Sequence, residues 1–280
     1  GSRDEFNNTY LRLANVQRIV VYASDGSIAN KIDFNPSTDG GVRSFTFTED
    51  GRIVVGTNYR IILYDNNCNK LREMNGHNGE VYSVAVKGNR LVSASADQTI
   101  KLWDLDDEGN YTVTKEEFKQ SLLNRGISEE RLNDYLKQNS MTFDDLYDGS
   151  VFKEVKPLLT LFPAVDEWIV FNDKNYYATS KNGSKYVGFH INNGLDKAAI
   201  FYNFRQFDYQ LNRPDLVLQS MGSSNKSLVD AMKLAHEKRI KRSGYSVPDN
   251  NNLVEAPQLT IRNQPEVVQD QKVKLRFNLS

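Results

Sequence analysis

The stretch that decides the fold runs from residue 76 to residue 104 and reads GHNGEVYSVAVKGNRLVSASADQTIKLWD. It contains three runs rich in apolar and β-branched residues, at 81–86, 90–95 and 99–103. Turn-forming residues such as Gly88 and Asn89 separate these runs. Short apolar runs between turn signals are typical of β-strands. The stretch therefore predicts three strands joined by tight turns.

The same pattern recurs earlier in the chain at a fixed distance. Runs of the same kind lie at 18–22, 42–47, 52–57 and 60–64. A shift of 39 residues places Val42 on Val81 and Tyr64 on Trp103. A repeat of about 40 residues with about four strands per unit is typical of a β-propeller blade. The sequence therefore predicts a mainly β fold, namely a partial propeller with about three and a half blades.

Residues 76–104 resemble a blade of the WD-repeat family. In that family a histidine, a serine, an aspartate and a tryptophan form a buried, hydrogen-bonded tetrad. The resemblance assigns these roles to His77, Ser93, Asp97 and Trp103. A buried histidine and aspartate need hydrogen-bond partners, and each would hold the strand of the other. The preceding unit has different residues at the corresponding places: Gly41, Val54, Asn58 and Tyr64. We therefore expect packing alone to hold that blade.

A helical segment interrupts the repeat after Asp104. Thr114 and Glu117 have the spacing of a capping box, and Ser128 precedes a second helical pattern. We assign 1–106 to propeller blades and 107–153 to a helical insertion, and expect a strand at 157–162 to complete the interrupted blade. The repeat does not require the insertion, so its apolar residues are candidate partner contacts: Phe118, Leu122, Leu132 and Tyr135.

A distinct block follows at 167–220. Its motifs begin at Glu167, Tyr176, Tyr186, Phe204 and Arg213. They resemble the tail that follows the propeller in bacterial WD-repeat proteins, many of which carry a caspase-like peptidase further downstream. The resemblance implies that 154–220 forms the last blade and a propeller-associated tail. We expect an ion pair between Arg213 and Asp215 to pin the chain.

A helix and a β segment are predicted beyond this block. Residues 221–244 form an amphipathic helix with Leu228, Met232 and Ala235 on one face. Residues 245–280 form a linker and the first strands of an Ig-like domain. The basic residues from 238 to 242 suit the end of a helix, where they complement its dipole, and they equally suit an anionic ligand. The sequence leaves both interpretations open.

Composition argues against several kinds of site. The 280 residues carry a net charge of -1, with one cysteine and three histidines. This charge balance argues against a nucleic-acid surface, and no apolar run is long enough to span a bilayer. The segment after Asp104 departs from a calcium loop, because Lys115 stands where a glutamate is needed. We expect no catalytic residue, no metal and no cofactor in this chain.

Two functions remain open at this point. The first is a non-catalytic scaffold or sensor module that binds a protein partner through its loops and insertion. The alternative is the regulatory region of a caspase-like cysteine endopeptidase whose catalytic domain lies outside this chain. A partial ring exposes a strand edge and an apolar flank, so we also expect self-association or another chain that completes the propeller.

Overall fold

The computed structural model describes residues 3–7, 9–112, 115–124, 127–147, 151–153, 155–191, 200–244, 259–261 and 277–279. The chain divides into two compact units, Gly1–Phe162 and Pro163–Ser280. The boundary falls inside the 154–220 segment that the sequence analysis treated as one region. Each unit is described by itself.

Antiparallel strands make up most of the first unit. These are β1 (Arg3–Phe6), β2 (Thr9–Asn15), β3 (Arg18–Tyr22), β4 (Ile28–Asp33), β5 (Ser44–Phe47), β6 (Ile53–Gly56), β7 (Arg60–Tyr64), β8 (Lys70–Asn75), β9 (Val81–Lys87), β10 (Arg90–Ser95), β11 (Ile100–Asp104), β12 (Asn110–Thr112), β13 (Val151–Lys153) and β14 (Leu159–Pro163). The seven runs recognised in the sequence coincide with β3, β5–β7 and β9–β11.

The strands form three sheets of the size of a propeller blade. The first sheet has the order β1-β2-β3-β4 and the second β5-β6-β7-β8. The third contains β9, β10 and β11 in sequence, and β14 pairs antiparallel with β11. The first strands of the sheets lie side by side, because β5 contacts both β1 and β9. This arrangement confirms the predicted fold class, a mainly β chain with a partial propeller.

Burial of the second sheet on both faces holds the three sheets together. Val55 and Ile62 belong to an apolar cluster shared with the first sheet. Val54 and Leu63 belong to a second cluster, shared with Leu91 and Trp103 of the third sheet and other residues. Successive side chains of a strand point to opposite faces, so a continuous apolar run such as Ile61–Leu63 suits a sheet that is covered on both sides.

The insertion between β11 and β14 begins with strand β12 and ends with strand β13, and these two strands pair with each other. Strands β12 and β13 pair antiparallel, with Asn110 opposite Lys153 and Thr112 opposite Val151. Between them lie α1 (Lys115–Asn124), α2 (Glu129–Gln138) and α3 (Phe143–Leu146). The Ser128 hydroxyl caps α2, and Thr142 forms a capping box at α3. The second and third helices therefore have their own start signals, and the insertion has a two-stranded stem.

The second unit combines short strands with helices. Its elements are β15 (Trp168–Phe171), β16 (Tyr177–Thr179), a 3-10 turn (Gly183–Tyr186), β17 (Gly188–Ile191), β18 (Ile200–Asn203), a second 3-10 turn (Phe204–Phe207), α4 (Asp208–Leu211), α5 (Pro214–Met221), α6 (Lys226–Ser243), β19 (Leu259–Ile261) and β20 (Phe277–Leu279). Three antiparallel hairpins connect β15 with β16, β17 with β18 and β19 with β20. No described helix is long and apolar enough to cross a membrane.

The predicted apolar face of α6 is wrong. Leu228 and Met232 are exposed, as is Ala235, whereas Val229 is buried. The helix instead contacts α4 and α5 with the side that carries Val229 and Arg239. A helix that buries a single apolar residue is held mainly by polar contacts, which the residue pattern alone did not reveal. Of the predicted linker and Ig-like segment at 245–280, residues 245–258 lie outside the described residues, as do Val273 and Leu275.

Truncation of the second sheet tests its two-sided burial. Leu63 is 0% exposed, and a Leu63→Ala change leaves a cavity between the second and third sheets. We expect the free energy of unfolding to fall by about 2 to 5 kcal/mol, measured by urea denaturation. The control is Val92→Ala, because Val92 lies in β10 but is 42% exposed. An equal loss in both variants would contradict the proposed packing.

Candidate functional site

The four tetrad residues form one hydrogen-bonded chain in the third sheet. Trp103 Nε1 donates to Ser93 Oγ at 2.8 Å, and Ser93 Oγ lies 2.7 Å from His77 Nε2. His77 Nδ1 lies 2.9 Å from Asp97 Oδ2. One proton arrangement satisfies every group: Ser93 donates to Nε2, and the Nδ1 proton is donated to Asp97. The neutral imidazole therefore links the turn before β9 to the turn after β10.

The carboxylate of Asp97 organises the turn between β10 and β11. Asn78 N donates to Oδ2 at 2.9 Å, while Thr99 N and Oγ1 donate to Oδ1 at 2.9 and 2.6 Å. Burial acts to raise the pKa of Asp97, but the bonds from Thr99, Asn78 and His77 outweigh it and hold the pKa well below its usual range. Asp97 therefore stays ionised while it accepts these hydrogen bonds.

Gly76 makes room for the tryptophan. A Cβ atom at this position would lie 3.2 Å from Trp103 Cη2. The backbone of Gly76 has φ of 152°, which residues with a side chain rarely adopt. The Gly-His pair at 76–77 is thus a packing requirement: the glycine admits the ring, and the next residue bonds to the serine beneath it.

An aspartate, a histidine and a serine in this order have the connectivity of an acyl-transfer triad, but their surroundings do not suit catalysis. Ser93 is 0% exposed, and Trp103, also 0% exposed, donates to its hydroxyl oxygen. A nucleophile must reach a substrate carbonyl, beside donors that stabilise the oxyanion. Here the tryptophan occupies the oxygen that would attack. We therefore interpret the network as a structural element of the blade.

The structure adds a buried lysine that the sequence analysis did not identify. Lys101 lies opposite Ser93 in the sheet and is 8% exposed. Its Nζ donates to Thr160 Oγ1 of β14 at 2.9 Å. Burial lowers the pKa of Lys101, and Asp97 partly opposes this shift. The bond fastens the strand that follows the insertion to the strand that precedes it.

The alignment of the preceding sheet needs a correction. Val55 lies opposite Ile62, as Ser93 lies opposite Lys101, so Val55 and not Val54 corresponds to the serine. The cause is the turn that follows each strand: Thr57 N donates to Arg60 O, whereas Ser95 N donates to Thr99 O, so the turn after β10 is one residue longer.

The expectation that packing alone holds the second sheet is wrong, because polar contacts also join its strands and turns. Arg43 Nε donates to Asn58 Oδ1 at 3.1 Å, and Arg43 Nη2 pairs with Glu80 at 2.5 Å. Asn58 thus keeps a polar role at the position that corresponds to Asp97.

The predicted partner residues of the insertion lie in different environments. Leu132 is 5% exposed, and Phe118 packs against Phe143 and Tyr147, with ring centroids 5.9 and 5.8 Å apart. Leu122 is half-buried. Phe118 and Leu132 therefore belong to the interior of the insertion. Tyr135 is 51% exposed and is the member of the predicted set that is open to a partner.

The motifs at 167–220 meet in the second unit. Tyr177 is 0% exposed and donates its hydroxyl to Asp208 Oδ1 at 2.8 Å. Phe204 stacks on Phe189 with centroids 4.6 Å apart. Asp215 is 0% exposed. Residues of these sequence motifs are therefore buried and make contacts within the second unit.

The expected pair between Arg213 and Asp215 is bidentate. Arg213 Nε and Nη2 donate to the two oxygens of Asp215 at 2.9 and 2.7 Å. The same guanidinium lies 5.9 Å from the centroid of the Tyr176 ring. The pair at the start of α5 therefore joins two of the sequence motifs.

The remaining candidates for chemistry have local roles. Asp104 accepts from Arg90 at 2.6 Å, and Asp106 pairs with Arg52, so this acidic loop is tied to the sheets. Cys68 is half-buried against the first apolar cluster, and burial raises the pKa of its thiol. His190 is exposed. Within the described residues no group of three His, Cys, Asp or Glu side chains could hold a metal ion.

One protein family matches the region that contains strands β8 to β11. Residues 68–104 match the family described as WD domain, G-beta repeat. No curated protein matches the sequence. Among solved structures, a similar chain comes from the "Crystal Structure of Mitotic Checkpoint Complex", with 25% identity and a TM-score of 0.34. The match covers 37% of this chain and 32% of that chain, so only about a third of the similar chain is represented.

Removal of the shared hydroxyl tests the hydrogen-bonded chain. A Ser93→Ala change leaves Trp103 Nε1 and His77 Nε2 buried without a partner. We expect the free energy of unfolding to fall by about 2 to 4 kcal/mol, measured by chemical denaturation. Ser83→Ala is the control, because Ser83 lies on the adjacent strand and is exposed. A loss below that of the control would contradict the account.

The neutral state of His77 predicts a pH dependence. Burial lowers the pKa of His77, although the bond to Asp97 acts in the opposite direction. Between the native pKa and about pH 6.5 the unfolded chain therefore binds more protons than the native protein. The contribution of the buried, neutral His77 to stability is complete above about pH 6.5, and it is lost as the pH falls through the native pKa. In denaturation curves between about pH 7 and 5, a His77→Gln variant should show a smaller slope than the unmodified protein. His190→Gln, at an exposed site, should retain the full slope; a slope unchanged in His77→Gln would refute the assignment.

Proposed function

We propose that the chain is a non-catalytic protein-interaction module of a larger WD-repeat protein, with recognition carried by the helical insertion. The observation that carries this proposal is the completion of the third sheet across the insertion. Strand β11 pairs with β14 directly, with Lys101 opposite Thr160. The blade is thus formed without the intervening helices, so these helices are available for another task.

The surface of the insertion supports a binding role. Tyr135 is half-exposed on α2, one turn after the buried Leu132 and directly before the buried Leu136. An aromatic side chain on a rigid helix is a common anchor in interfaces, because it buries a large area at low conformational cost. Because WD repeats generally mediate protein interactions, this function also agrees with the family match at 68–104.

A second surface supports association with a further sheet. In the second sheet, Val54 and Leu63 contact the third sheet and are fully buried. The register places Val92 and Leu102 at the corresponding outward positions of the third sheet. Val92 is 42% exposed and Leu102 half-buried, so this face has an apolar pattern like the one that receives a neighbour. We therefore include a second copy or another chain among the proposed partners.

The alternative is the regulatory region of a bacterial caspase-like cysteine endopeptidase whose catalytic domain lies outside this chain. Its support is the resemblance of 155–220 to the tail of such proteins. The described contacts explain those motifs by packing, which does not favour either function. The alternative requires a histidine and cysteine pair in the downstream part of the natural gene product, and its absence there would exclude this function.

Removal of the insertion is the direct test of the proposed scaffold. The stem pairs Thr112 with Val151, so 113–150 can be replaced by Asn-Gly, which closes a two-residue hairpin. We expect affinity capture from the source lysate, read by mass spectrometry, to lose its specific partner with this variant. Thermal unfolding of the sheets should stay within a few degrees.

Point variants sharpen the result. Tyr135→Ala should weaken capture, whereas Tyr59→Ala, which removes a more exposed tyrosine from the turn between β6 and β7, should not. A partner retained at full yield after deletion of 113–150 would contradict the role of the insertion. Unfolding of the sheets by the deletion would contradict the completed blade on which the proposal rests.

A further inference from the structure

A cleft of about 440 Å³ lies in the second unit at the C-terminal end of α6. Its lining consists of Tyr209, Ala235, Lys238, Arg239, Arg242 and Ser243. Three of these residues are cations and none is a carboxylate. The volume falls in the range of about 300 to 1,000 Å³ that is usual for small-molecule sites. The cleft is therefore large enough for a small ligand, and all of its charged lining residues are positive.

Two of the three cations of the cleft, Lys238 and Arg242, have no partner among the described residues. Helix α6 carries six lysines and arginines and two acidic residues, whereas the whole chain has a net charge of -1. Lys238 and Arg242 are one turn apart on the same side of the helix, where like charges repel. Within the described residues, neither forms a hydrogen bond or an ion pair. No carboxylate of the described residues pairs with either side chain, whereas a bound anion would offset the repulsion between them.

Arg239 is held in place with one donor unused. Its Nη1 donates to Asp208 Oδ2 at 3.3 Å. Its Nη2 donates to Asp208 O at 3.2 Å and Asn212 O at 2.8 Å, and lies 3.1 Å from His236 Nδ1. Among the described residues, Arg239 Nε is the one buried side-chain nitrogen or oxygen without a hydrogen-bond partner. A buried N–H group without a partner is unfavourable, and Arg239 lines the cleft, so a ligand oxygen that displaces the groups covering Nε would satisfy this donor.

The helix dipole gives only a partial account of these features. Lysine and arginine in the last turn of a helix interact favourably with its negative end. That explains the sign of the charge at 238–242. It explains neither the unused donor of Arg239 nor a cleft bordered by the exposed ring of Tyr209.

We propose that this cleft binds the phosphoryl group of a small phosphorylated ligand. Lys238 and Arg242 supply charge for a dianion, and Arg239 Nε supplies a directed hydrogen bond from a guanidinium that is already oriented. Arginine and lysine are the usual partners of phosphate oxygens, and a monocarboxylate would leave most of the charge unpaired. Tyr209 and Ala235 form a wall for the organic part of the ligand. The site is independent of the insertion and of the proposed scaffold function.

Calorimetry with inorganic pyrophosphate tests the proposal on the full chain. At low ionic strength we expect saturable binding that weakens as salt is added. The double variant Lys238→Gln/Arg242→Gln should bind about ten-fold more weakly or worse. The matched control is Lys233→Gln/Lys241→Gln, which removes the same charge from the same helix at positions that do not line the cleft. The control should bind within about two-fold of the unmodified protein.

Two further measurements make the result specific. The first is an NMR spectrum of arginine Nε–Hε groups, in which the Arg239 signal is identified by its absence from an Arg239→Lys variant. Pyrophosphate should shift this signal in the unmodified protein.

Vesicles of phosphatidylcholine with phosphatidylinositol 4-phosphate distinguish a lipid headgroup from a free ligand. Capture on these vesicles, lost in the cleft variant, supports the headgroup, and binding of pyrophosphate without capture supports a free phosphorylated molecule. The proposal is overturned if neither probe binds, or if the control variant loses as much affinity as the cleft variant.

Discussion

The two-sided burial of one strand pair, β6 and β7, is the constraint on which the first unit depends. Val54 and Val55 are adjacent, point to opposite faces of the sheet, and are both 0% exposed. Burial of a valine or leucine side chain contributes about 1.5 to 3 kcal/mol, and this pair of strands contributes on both faces. A sheet with two apolar faces needs a neighbour on each side, so stacking of three sheets follows from this composition. The polar chain from Trp103 to Asp97 then orders a sheet whose position the apolar contacts have set.

The insertion is compatible with this arrangement because β14 returns to the edge of β11. Leu158 N donates to Leu102 O, and Lys101 reaches Thr160 across the same pair of strands. Long connections at a sheet edge cost little extra entropy for each residue added. The stem of β12 and β13 brings the ends of the helical segment together. The blade and the helices can therefore serve separate purposes, which is the physical basis of the proposed scaffold.

Sequence patterns predicted the strands that are buried and missed those that are not. Strand β8 (Lys70–Asn75) buries only Met74, so its polar sequence gave no strand signal. The fixed shift of 39 residues aligned Val54 with Ser93, because the extra residue in the turn after β10 cannot be recognised from a constant spacing. Lys101 and the packing side of α6 were missed for a related reason: a charged residue is ordinarily exposed, and only the strand or helix packed beside it determines otherwise. The tetrad was predicted through the resemblance of 76–104 to a WD-repeat blade, because residue spacing alone does not say which side chains bond to one another.

Amide hydrogen exchange across the β11–β14 pair tests the central claim most directly, namely that the blade is completed across the insertion. Mass spectrometry of peptides from 159–163 and from 100–104 gives the free energy of opening for each strand. The account predicts similar protection for both peptides, well above that of the helices at 115–146. If 159–163 exchanges as fast as the insertion while 100–104 stays protected, the third sheet lacks its fourth strand, and the account is contradicted.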